Sequence, residues 1–156
     1  MPSQTSNYSY DTYGNIRSKT ITDSQNQSES YVFSYENTNW LDQLTKVSYT
    51  DKNGTTTTQG LTYDSIGNPL SYFNGKSNWT FTWKYGRELA AATCGDTSIA
   101  YTYNENGIRE SKTVGNIIHK YLTLDDKVIR ETYGNTTIDY FYDEQGRAYK
   151  LVAKEN

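Results

Sequence analysis

The chain has 156 residues and a mass of 17.9 kDa, the length of one domain, with a formal net charge of −3 and a sequence pI near 5.1. Leu, Ile, Val and Phe make up only 26 residues, whereas 23 Tyr, Trp and Phe supply 15% aromatics, which excludes a disordered chain and places the apolar area of any core in rings. The longest apolar run, Leu89–Ala92, excludes a membrane span, a single Cys94 and a single His119 exclude an internal disulfide and a multi-His metal site, and the even balance of charge between the two halves leaves no basic stripe for nucleic acid.

Residues 1–7 read as a polar N-terminal tail. From Tyr8 onward one phrase recurs: aromatic, any residue, Tyr, Asp or Asn, two residues, Gly. It occurs at Tyr8-Ser9-Tyr10-Asp11 with Gly14, at Leu61-Thr62-Tyr63-Asp64 with Gly67, at Tyr101-Thr102-Tyr103-Asn104 with Gly107, and at Tyr140-Phe141-Tyr142-Asp143 with Gly146. Weaker copies surround Tyr35, Tyr85 and Tyr121, so residues 8–151 form a repeat strip of about seven units, with 152–156 as a C-terminal tail.

Each unit reads as two strands. Asp23–Ser30 forms a polar loop expected to project and move, and Tyr31–Tyr35 then alternates as a strand. Asp51–Gly60 is a second such loop, with Asn53-Gly54 as turn chemistry. Further turns fall at Asn74-Gly75, Asn106-Gly107, Gly115-Asn116, Asp125-Asp126 and Gly134-Asn135. Alternation is clear at Trp79–Trp83, Tyr101–Tyr103 and Ile138–Tyr142. The stretch Arg87–Ala92 falls in a strand register, with one helical turn near Glu88–Ala92 as the alternative. The expected fold is all-β: an antiparallel strip of about 12–16 short strands, curved or spiralling into a partial shell.

These residues resemble the YD-repeat, or Rhs-repeat, family, whose hallmark is Tyr-x-Tyr-Asp, two residues, then Gly-Arg or Gly-Asn and an aliphatic residue. The match is closest at Gly60–Leu70, Tyr140–Arg147 and Tyr8–Ile16. Tyr35–Leu44 and Trp79–Leu89 look like the repeat region of bacterial Rhs and wall-associated polymorphic toxins. The resemblance implies a β-strip that spirals into a hollow shell, which in large members encloses a toxic domain or forms a barrel on a surface receptor. It implies a secreted or bacterial cell-surface setting as part of a larger system, although no cationic and apolar leader follows Met1. The family's Asp-Pro-x-Gly self-cleavage element has no counterpart, because neither Pro2 nor Pro69 follows an Asp. About seven repeats are too few to close a large shell, so the strip is expected to meet neighbouring repeats or its own copies through its edge strands.

The most conspicuous chemistry lies in the repeat itself. Tyr10, Tyr63, Tyr103 and Tyr142 are expected to stack as a ring ladder. Asp11, Asp64, Asn104 and Asp143 should bond to turn N–H groups just before Gly14, Gly67, Gly107 and Gly146. The competing functional reading is a carbohydrate-binding face, with exposed Trp40, Trp79 and Trp83 as stacking platforms. Asp125-Asp126 and Asp143-Glu144 point to opposite faces of a strand or sit in turns, which disfavours paired-carboxylate catalysis. Cys94 and His119 make a weak nucleophile–base pair. The sequence therefore predicts a non-catalytic module with no metal or cofactor. Its expected partners are itself, neighbouring repeats, a toxin domain or a surface glycan, without nucleic acid or membrane insertion.

Overall fold

The computed structural model describes residues 3–155. Those residues form fourteen strands and no helix, in two antiparallel sheets of five and nine strands that do not close into a barrel. The strands are β1 (Gln4–Tyr10), β2 (Ile16–Asp23), β3 (Ser28–Ser34), β4 (Lys46–Thr50), β5 (Thr56–Gly60), β6 (Ser71–Phe73), β7 (Asn78–Lys84), β8 (Glu88–Cys94), β9 (Thr97–Tyr103), β10 (Arg109–Val114), β11 (Ile117–Leu124), β12 (Lys127–Tyr133), β13 (Thr136–Tyr142) and β14 (Ala148–Glu155). Each strand pairs with its sequence neighbours, as β1 to β5 and as β6 to β14. The chain divides into two compact units, Met1–Thr80 and Phe81–Asn156.

Several expectations are corrected. The strip is interrupted between β5 and β6 and so is two sheets rather than one. Residues 4–7 belong to β1, where they pair with Thr20–Asp23, and 152–155 extend β14, so neither segment is a tail. Residues 1, 2 and 156 of those tails lie outside the described residues. The two polar loops are hairpins: Asp23 ends β2 and Ser28 opens β3, while 51–55 turns tightly into β5. The strand reading of Arg87–Ala92 holds for Glu88–Ala92, which lie in β8, the strand that pairs with β9, and the alternative helical turn does not form.

The first unit holds the densest packing. In β3 and β4 the pairs Tyr31–Tyr49 and Phe33–Val47 lie opposite one another, which puts four apolar side chains on one face. Phe73 of β6 joins Val47 and Tyr49, with Tyr31, Phe33, Leu44 and Leu61 around them; Val47 is 1% exposed and Phe73 4%. The β6–β7 turn comes so close that a Cβ on Gly75 would lie 2.5 Å from Cε1 of Tyr31. The Tyr49 hydroxyl, at the edge of this cluster, donates to Glu29 Oε2 at 2.8 Å.

In the second unit Ala92 is the only buried apolar residue among those described. Its strands carry half-buried rings at alternate positions. On neighbouring strands, His119 stacks on Tyr133 at 4.4 Å and donates through Nδ1 to Glu131 Oε1 at 2.6 Å, while the Tyr140 hydroxyl donates to Glu131 Oε2 at 2.9 Å. Rings with satisfied polar tips thus stand in for the missing aliphatics.

Candidate functional site

Each copy of the repeat phrase builds the same loop. The anchor tyrosine pairs with the residue six positions later: Tyr10 with Ile16, Tyr63 with Pro69, Tyr103 with Arg109 and Tyr142 with Ala148. Inside that closure the Asp64 N–H donates to the Asn68 carbonyl at 2.9 Å, and the Gly67 N–H donates back to the Asp64 carbonyl at 3.1 Å. Asp64 Oδ1 accepts from the N–H groups of Ile66 and Asn68 at 3.0 and 2.8 Å, and Oδ2 accepts from the Asn68 amide at 2.8 Å. Asp11, Asn104 and Asp143 repeat the backbone pattern with their own turns. Gly67 has φ +88, a conformation L side chains rarely adopt, which is why this position needs glycine.

Two more loops have this geometry without the full phrase. Asp23 and Asp51 each accept two turn N–H groups through Oδ1. In the first, Asn26 takes the glycine place at φ 60. The readable signal is an Asp three residues before Gly or Asn, which the search for Tyr-Asp alone passes over.

These interactions hold the carboxylates charged. Burial works against the charge of Asp64 and Asp11, but the N–H groups of Asn68 and Ile66, and of Asn15 and Tyr13, outweigh it and lower both pKa values below the usual 3.8. At Asp143 the Arg147 N–H is the largest cause of the same shift.

The anchor rings do not stack on each other as expected. Their hydroxyls instead donate to backbone carbonyls in the preceding repeat: Tyr35 to Ile16 at 3.2 Å, Tyr63 to Leu44 at 2.6 Å, Tyr103 to Leu89 at 3.0 Å and Tyr142 to Val128 at 2.8 Å. A hydroxyl directed at a carbonyl satisfies two polar groups, whereas ring on ring would leave the hydroxyls to be satisfied elsewhere. Tyr10 is 60% exposed, and its hydroxyl has no such partner among the described residues. Tyr85 departs further: it opens the three-residue turn 85–87 between β7 and β8, at φ 45 with Gly86 at φ 87, and is 91% exposed. Tyr121 keeps a half-buried position on β11, and Asp125-Asp126 is the following turn, with both residues at positive φ.

The tryptophans are not a shared exposed platform. Trp40 is exposed, as expected, but its ring edge lies against Gly67, where an added Cβ would come 2.5 Å from Cη2. Trp79 and Trp83 are half-buried at alternate positions of β7. Cys94 ends β8 and pairs with Thr97, whereas His119, on β11, is bonded to Glu131; the two are not brought together.

A concave surface lies elsewhere, between the turn at Tyr85 and Gly86 and the Asn104 loop. Two adjoining recesses of ≈170 and ≈460 Å³ share Tyr85, Glu88 and Tyr103. Lys84 and Tyr101 line the first, Asn104 and Glu105 the second. The Arg109 guanidinium lies over the Tyr101 ring, 4.3 Å from its centroid.

No protein-family model matches the sequence, and no curated protein matches it. Among solved structures the chain is similar to one in the Photorhabdus luminescens Tc holotoxin pore with a mutation in TccC3, with a TM-score of 0.58 and 18% sequence identity over 96% of this chain. The chain spans 9% of the length of that relative. A likeness at this identity is one of fold, an antiparallel β module.

Proposed function

We propose that this chain is a non-catalytic structural module of YD-repeat type, a slice of a longer β-strip that builds part of a shell or scaffold. The observation that carries the reading is the fate of the repeat residues. Tyrosine hydroxyls are used to tie one repeat to the next, and carboxylates to close the loops. The fold likeness to a small part of a toxin-complex chain supports the same reading and is consistent with a toxin domain as neighbour; the setting we propose for it is secreted or on a cell surface.

The end strands support continuation through further repeats or copies of the chain. All seven residues of β1 are exposed and none is charged, so its open edge lacks the usual protection against pairing. β14 offers Tyr149 and Leu151, both exposed, beside Lys150 and Lys154. A contact from β1 of one copy to β14 of the next is heterologous and propagates into a ring or a filament. Light scattering on the chain and on Asn7→Lys tests this. The mass of the parent should grow with concentration while the variant, with a charge on β1, stays monomeric; a monomeric parent would oppose the reading.

A further inference from the structure

We propose that the loop end of the first unit docks on the surface of a neutral lipid bilayer, a contact that does not rest on the structural reading above. The antiparallel meander gathers three loops, 11–15, 35–45 and 61–70, at one end of the five-stranded sheet, because Tyr10 pairs with Ile16, Ser34 with Lys46 and Lys46 with Gly60. Tyr13, Trp40, Leu41 and Ile66 stand on these loops, and all four are exposed, from 45% at Trp40 to 75% at Tyr13. The turns 24–27 and 51–55, at the opposite end, carry no large apolar residue. Loop closure does not demand the apolar tips. The place two residues after the loop's Asp or Asn is held by Tyr13, Gln25, Asn53, Ile66, Asn106 and Gln145, and each donates its N–H to Oδ1 at 2.9–3.0 Å. The four polar residues make that bond as well as Tyr13 and Ile66 do. Both apolar ones lie at this one end, so their exposure has a cause outside the loop.

The tips fit a lipid surface. The N–H groups of Tyr13, Trp40 and Ile66 already donate to Asp11, Asn37 and Asp64, so these donors enter a drier medium without being orphaned. Tyr13 and Trp40 join an apolar ring to a polar tip, a combination that seats at the level of lipid headgroups, and Leu41 and Ile66 supply aliphatic surface beside them. The edge of the Trp40 ring lies against Gly67, which brings Trp40, Leu41 and Ile66 into one patch. Tips that project from separate loops suit a fluid surface that closes around them, whereas a protein partner would need matching pockets. Charge selects the lipid. The three loops hold Asp11, Glu36, Asp42 and Asp64 and no Lys or Arg; Arg17 and Lys46 stand at the adjoining strand ends, and Lys46 is bonded to Glu36 at 2.9 Å. Anionic lipid repels such an end, and zwitterionic headgroups match it. The tips rest in the interface, and no strand inserts.

The test is cosedimentation of the full chain with vesicles of phosphatidylcholine, and of phosphatidylcholine mixed with phosphatidylglycerol. The parent should bind the first and bind the second more weakly. The double variant Tyr13→Gln/Ile66→Asn copies the residues of the Asp143 and Asn104 loops, so it should melt close to the parent yet bind phosphatidylcholine at least about tenfold more weakly. Leu41→Gln, a single exposed change, should weaken binding at least about threefold. Leu124→Gln, at an equally exposed place in the second unit, should bind as the parent does. No binding to phosphatidylcholine, tighter binding with phosphatidylglycerol present, or unchanged binding in both the double variant and Leu41→Gln would overturn the proposal. A second copy as the occupant would also overturn it: without lipid, mass would then grow with concentration in the parent and in Asn7→Lys but not in the double variant.

Discussion

Asp64 accepts two backbone N–H groups and one side-chain amide, so its position in the loop depends on acceptor geometry more than on charge. Asn104 performs the backbone part of that task in its own loop. Asp64→Asn should therefore keep the fold, while Asp64→Ala should lower the melting temperature clearly, as thermal denaturation would report. Charge still matters to pH dependence. The lowered pKa values of Asp11, Asp23, Asp64, Asp139 and Asp143 mean that the folded state binds these protons less readily than the unfolded chain. Their contribution is complete above the unfolded value near 3.8 and is lost as pH falls through the lower folded values. Tyrosines give the opposite limb. The bond to Glu29, then burial, raises Tyr49 to about 12, and burial, then the bond to Glu131, raises Tyr140 to about 12. The unfolded chain loses these protons first, near pH 10, so stability should fall between about pH 10 and 12. Tyr49→Phe should flatten that decline in alkaline denaturation curves, and a decline of unchanged steepness would contradict this.

At the scale of the element, the bond from each anchor hydroxyl to the preceding repeat links hairpins that otherwise meet only through their ladders. Tyr63→Phe, Tyr103→Phe and Tyr142→Phe should each cost about 0.5–1.5 kcal/mol in denaturant unfolding. Tyr10→Phe should cost almost nothing, because no carbonyl among the described residues receives its hydroxyl. The turns are equally uneven. Gly54→Ala meets open space and should cost about 1–2 kcal/mol for its φ of +83 alone. Gly75→Ala adds a clash with Tyr31 and Tyr49 and should cost about 1–3 kcal/mol more. The register of these elements was legible in the sequence, because Tyr-x-Tyr-Asp and Gly mark strand end and turn together. The direction of the tyrosine hydroxyls was not, since each acceptor carbonyl lies 14 or 19 residues upstream and any residue type supplies one. Tyr85 misled for a related reason: the phrase around it is shortened, so the ring that would anchor a strand falls in the turn. The recess at Glu88 joins β8 to a loop after β9, a juxtaposition set by pairing rather than by any local motif.

For the whole molecule, the balance between packing and open edges decides the account. One small cluster in the first unit is well buried, and rings elsewhere stay partly exposed. Such a strip gains stability from each added repeat, as nearest-neighbour contacts accumulate along a repeat protein. The uncharged edge of β1 and the exposed Tyr149 and Leu151 on β14 are the places where that gain is still open. Residue-resolved hydrogen exchange, followed from low to high protein concentration, measures this directly. The account predicts that amides of Gln4–Tyr10 and Ala148–Glu155 exchange fast at low concentration and become protected together as concentration rises, while β2–β4 and β9–β12 change little. Protection of both end strands at the lowest concentration, or fast exchange in both at the highest, would contradict it.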